Sequence, residues 1–129
     1  MANQLTYYAQ NALLNHVFRG VTYSSPAGIY LALFLSDPGP TAAGQEVSGG
    51  NYARQAVTFG APVNGVILNT NQITFPTPNL DWGTVTFLGL FDSLSSGHLI
   101  AIAPATPNRV VNIGDVLRFG VANLSVTLT

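Results

Sequence analysis

Cysteine is absent from the 129 residues, so neither a disulfide nor thiolate chemistry is open to this chain. Lysine is absent as well. The cations are Arg19, Arg54, Arg109 and Arg118, and Asp, Glu, Lys and Arg together make up 7% of the sequence, against about 25% in an ordinary soluble domain. Four scattered arginines form no basic stripe able to neutralise phosphates, so no nucleic-acid partner is expected. No uninterrupted apolar run reaches the length of a helical membrane span, and no membrane partner is expected. The opening "MANQLTYYAQ" lacks the cationic start and apolar run of a signal peptide, so the expectation is a protein made and used without export. Polarity comes instead from Asn, Gln, Ser and Thr. A surface of that kind is easier to desolvate than a charged one, and interface cores are likewise depleted of charge.

What is present has two periods. Residues 3–18 carry a helical one: Leu5, Ala9, Ala12, Leu13 and Val17 fall at the spacing of one helix face. Asn3 is placed to cap the start, and Gly20 sits where a left-handed C-terminal residue is expected. Such a helix either covers one end of a sheet or reaches a neighbouring subunit as an arm. From Ile29 onward the period is two. In "GIYLALFLS", Ile29, Leu31, Leu33 and Leu35 share one face and Tyr30, Ala32 and Phe34 the other. Both faces are apolar, which predicts a strand covered on both sides.

Further short strands follow over 54–59, 65–68, 72–75, 84–92, 98–101, 109–112, 116–119 and 124–128. Turn-forming stretches separate them, including "DPGPTAAGQ", "FPTPNLDWG", "SLSSG" and "PATPN". Many short strands at this spacing predict one all-β domain over residues 1–129, an antiparallel β-sandwich of jelly-roll type with one N-terminal helix.

Tests for chemistry return little. "SGGN" at 48–51 resembles a phosphate-cradling loop only in its glycines. A P-loop continues with Lys-Ser/Thr and a helix, whereas Tyr52, Ala53, Arg54 and a β-run follow here. Gly49 and Gly50 are better read as a turn that needs positive φ. His16 and His98 are far apart in sequence and fit no metal-ligand spacing. No G-x-S-x-G occurs. Asp37, Asp81, Asp92 and Asp115 sit at turns, where a carboxylate accepts local backbone N–H groups; no facing pair for glycoside hydrolysis stands out. Trp82 opens "DWGTVTFLGLFD", in which Val85, Phe87, Gly89 and Phe91 alternate with Thr86, Leu88 and Leu90. The tryptophan either packs at the mouth of a core strand or offers an exposed ring to a sugar.

The stretches "NALLNHVFRG", "YLALFLSDP", "EVSGGNYARQAVTF", "ITFP", "WGTVTFLGLFD" and "GDVLRFGVANLSVTLT" together resemble a family of small virion structural proteins of tailed bacteriophages. Its members are variously labelled tail-fibre or capsid decoration (cement) proteins. The resemblance implies a non-enzymatic structural protein with no cofactor and no metal, located in the virion and assembled in the host cytoplasm. A cement role on the capsid shell is the first expectation, because a charge-poor surface suits permanent contacts. A tail-fibre or receptor-binding role is the alternative. The implied partners are further copies of the chain, as a homotrimer, and the major capsid protein or other virion proteins. Gly49, Gly50, Tyr52, Arg54 and Trp82 are the positions singled out for structural or protein-contact roles.

Overall fold

The computed structural model describes residues 4–128. The elements in chain order are β1 (Gln4–Leu5), α1 (Tyr7–Phe18), β2 (Ile29–Phe34), β3 (Gln55–Val57), β4 (Val66–Leu68), β5 (Ile73–Thr74), β6 (Gly83–Phe91), β7 (Leu99–Val111), β8 (Arg118–Phe119) and β9 (Ser125–Thr127). One antiparallel sheet runs in the order β1-β7-β6-β2-β3. Two ribbons, β4-β9 and β5-β8, complete the strands. The chain is thus an all-β sandwich with one N-terminal helix, and its second layer is built from ribbons and loops.

The period-two reading of β2 holds. Leu31 and Leu33 enter the inner core with Ile73, Phe75, Trp82 and Leu117, while Ala32 and Phe34 join Leu99 and Ile102 on the opposite face. A strand buried on both faces needs partners along both edges, since no water reaches its backbone. β6 pairs one edge from Tyr30 to Phe34. β3 pairs the other edge only as far as Leu31. Beyond that point the returning 45–47 segment takes over: Leu35 N–H donates to the Gln45 carbonyl, and Val47 N–H to the Leu33 carbonyl. Closing this edge is one physical role of the long 37–53 connection.

β6 departs from the simple alternation. Val85 and Leu88 both enter the inner core, while Phe87 and Phe91 face the other side. The cause is a register shift between Val85 and Phe87. Val85 faces Arg109 and Phe87 faces Pro104, so two steps on β6 span five on β7. The surplus lies in Ala105–Asn108, the "PATPN" stretch expected to be a turn between two strands. It is instead a bulge inside the continuous strand β7. Proline has no N–H to give the ladder, and a bulge tolerates that loss. Gly89 serves close approach: a Cβ there would lie 2.7 Å from the Phe34 ring and 2.7 Å from Leu99.

The helix begins later than expected. Asn3, the expected cap, lies outside the described residues, and residues 4–5 form an edge strand. Thr6 is the N-cap: its Oγ1 accepts from Ala9 N–H at 3.4 Å and donates to the Leu99 carbonyl at 2.6 Å. Gly20 does adopt the left-handed conformation, at φ +67°. The expected apolar stripe is not a buried one. Ala9 is its one buried member within the helix, and Val17 is 63% exposed. The first turn of α1 is bolted to β7, and its second half stands clear of the sheet.

Candidate functional site

The positions singled out from the sequence converge on one place, where the 46–54 segment crosses the mouth of β6. Gly49, Gly50 and Asn51 have φ of +77°, +59° and +70°. Three consecutive left-handed residues turn the chain sharply, and Tyr52 N–H donates to the Gly49 carbonyl across the turn. Gly50 has a second constraint. Its carbonyl accepts the Trp82 indole N–H at 2.8 Å, and a Cβ at position 50 would lie 2.8 Å from that nitrogen. The tryptophan is 5% exposed. Its ring meets Tyr52 and Phe75 edge-on, with centroids 5.5 and 6.4 Å apart. Trp82 therefore fills the core, and an exposed platform for a sugar is not formed by this ring.

Tyr52 links that corner to the strand edge. Its hydroxyl donates to Glu46 Oε2 at 2.6 Å and accepts from Leu33 N–H at 3.0 Å. The hydroxyl thus supplies a ladder partner where β3 has ended. Burial, and then the hydrogen bond to Glu46, push its pKa far above the ordinary phenol value, so the group is held as a donor.

Arg54 completes the arrangement. Nε and Nη2 grip Glu46 at 2.9 and 2.8 Å in a bidentate pair, and Nη1 donates to the carbonyls of Ser93 and Ser96, each at 2.8 Å. The guanidinium lies 3.4 Å above the centre of the Phe91 ring. With its side chain 8% exposed, Arg54 has little surface to offer a partner. A planar five-donor fork suits this combination of carboxylate, carbonyls and ring face, and an ammonium would not. The clamp joins the 46–54 segment, β2, β6 and the 92–98 turn. The reach from Arg54 to Ser93 and Ser96 spans about forty residues and carries no signal in the sequence.

The remaining polar residues hold turns. Asp37, Asp81, Asp92 and Asp115 each accept a backbone N–H, from Gly39, Ile113, His98 and Asn112. His98 Nδ1 lies 3.2 Å from Asp92 Oδ2, and its ring stacks on Tyr8 with centroids 4.0 Å apart. His16 contacts the Val21 carbonyl at the helix end. Sequence reasoning missed Asn69, which is fully buried. Its amide donates to the carbonyls of Asn71 and Gly120 and accepts from Leu124 N–H. Among the described residues, no three His, Asp or Glu side chains gather in one place, and no buried side-chain nitrogen or oxygen lacks a partner.

Fold and clamp together define a β-structural domain whose polar side chains hold its own loops. The chain belongs to a family of phage fibre proteins: the family model described as podophage GP4 fiber I protein gp80 matches residues 4–127. That bears out the resemblance to small virion proteins of tailed phages, and makes the protein a structural component of a phage virion. A search of the curated proteins finds no match to the chain.

Proposed function

We propose that this protein is a non-enzymatic fibre component that works by contact, both with further copies of itself and with other virion proteins. The observation that carries the reading is the family match over residues 4–127. The surface supports it. Large apolar side chains such as Phe18, Val17 and Val63 are exposed at 78, 63 and 67%, and little charge opposes their burial. A homotrimer, the state implied by the resemblance, belongs to the same proposal.

Capsid decoration is the second reading. The charge-poor surface favours it, because a fibre held out in solvent calls for more solubilising charge. Labelling the protein in intact particles and imaging them separates the two. Label on fibres at the tail is the expected result. Label spread at regular positions over the shell would replace the fibre role with decoration, and absence of label from purified particles would end both.

A further inference from the structure

We infer that the exposed half of α1 is an arm that docks, head to tail, into an apolar cleft on a second copy of this chain. The inference rests on the self-association proposed above and names its two halves.

The first half is the helix. A 12-residue helix is marginal in water unless tertiary packing supports it, and here support is confined to the first turn. Leu13, Leu14, Val17, Phe18 and Val21 are all exposed, and Phe18, at 78%, is the most exposed large apolar side chain among the described residues. Together they present on the order of 500 Å² of apolar surface, at the upper end of what monomers leave bare. No charged residue interrupts the patch; Arg19 is turned aside, donating to Asn15 Oδ1 at 2.8 Å.

The second half is a cleft of about 370 Å³ between β4 and the 120–123 turn, walled mainly by Ala61, Val63, Val66 and Leu68, with Asn69 and Thr70 also on its lining. Its outer wall is exposed, Val63 at 67%. The cleft lies largely on the longest charge-free run of the sequence, residues 55–80. Of the other clefts, one between Leu90, Ile102 and Val126 is at least as apolar but offers only about 20 Å³, and two more are more polar. One of about 340 Å³ is lined by Arg109, Arg118, Asn123 and Thr106. Another, of about 250 Å³, sits at the base of α1 itself, between Tyr7, Thr41 and His98.

An uncharged, mostly apolar cleft and an uncharged apolar arm each lose little on desolvation and gain from mutual burial. One arm in one cleft buries on the order of 1,000 Å² counted over both copies, the lower bound for a specific contact. Head to tail, each copy gives its arm to the next and receives the arm of the one before, so the contact is heterologous and either closes into a ring or extends as an open filament.

The test is complementation between two variants, Phe18→Arg and Val63→Arg. Both positions are solvent-exposed within one copy, so circular dichroism should match wild type and certify folding, and melting should match once all samples are dilute enough to be monomeric. Light scattering of wild type should show self-association. Each variant alone should associate at least roughly 30-fold more weakly, as a central contact residue does. An equimolar mixture should recover a 1:1 heterodimer, since one copy keeps its arm and the other its cleft. Loss of association with Phe18→Arg but not Val63→Arg would replace the cleft by helix–helix pairing and overturn the inference. A mixture that stays monomeric, or variants that associate like wild type, would overturn it while leaving self-association standing. A monomeric wild type would remove both. Should either arginine variant fail to fold, Val17→Ser and Leu68→Ser provide the same cycle with gentler changes.

Discussion

Gly49 and Gly50 share a left-handed backbone but not the same surroundings. Open space lies around a Cβ built at position 49, whereas one at 50 meets the Trp82 indole nitrogen at 2.8 Å. Gly49→Ala should therefore cost about 1 kcal/mol, from backbone strain alone. Gly50→Ala should cost more, because it also drives the ring from the Gly50 carbonyl. Urea denaturation of the two variants checks the order, and equal costs would show that the indole shifts freely. Trp82→Ala should destabilise by about 3–5 kcal/mol, as large aromatic truncations in cores do, and it leaves the Gly50 carbonyl with only the longer bond from Asn79 N–H, at 3.3 Å. Since Trp82 is the sole tryptophan, wild-type fluorescence gives an independent check: emission should be blue-shifted and resist iodide quenching.

At the scale of elements, the helix separates anchoring from exposure. Thr6 is buried and bonded both to α1 and to the Leu99 carbonyl, so Thr6→Ala should cost about 1–2 kcal/mol. The loss should appear as lower helical ellipticity and a lower melting temperature. Measured at concentrations too low for association, Leu14→Gln, in the arm, should stay within about 0.5 kcal/mol of wild type, since surface changes away from special features usually do. A large loss at Leu14 would mean that the arm is already packed within one copy. The same contrast explains what was legible beforehand. β2 could be read from its letters because alternation reports directly on two apolar faces. The helix could be read as an element, but its stripe was a poor guide to burial: periodicity shows that a face is apolar and does not say which molecule covers it. The β6 phase change escaped because it depends on the bulge at Ala105–Asn108, some twenty residues away on the partner strand. The clamp was half legible. The types of Tyr52 and Arg54 called for partners and Glu46 was near in sequence, yet the Ser93 and Ser96 carbonyls, the Phe91 ring and the Leu33 N–H reach the site through topology alone.

For the whole molecule, the clamp sets a stability limit on the alkaline side. Tyr52 is buried against Glu46, and its folded pKa is raised from the ordinary value of 10.0, first by burial and then by that hydrogen bond. Tyr23 shifts in the same direction, through burial and its neighbours Tyr8 and Asp92. A raised folded pKa means that the native state keeps a proton which the unfolded state gives up. The sign follows: the contribution is fully present below pH 10, where both states are protonated, and declines as pH climbs toward the folded value. The loss from Tyr52 should approach, and not exceed, about 1.4 kcal/mol per pH unit once the unfolded phenol is ionised. With so few charged groups on the chain, general self-repulsion adds little to mask it. Denaturant midpoints should therefore stay level up to about pH 9.5 and then fall. Tyr52→Phe should be less stable at neutral pH, because Leu33 N–H and Glu46 lose the hydroxyl, and its decline above pH 10 should be shallower. If the variant fell as steeply as wild type, the alkaline limit would belong to other groups, and the Tyr52 hydroxyl would be only a neutral link in the clamp.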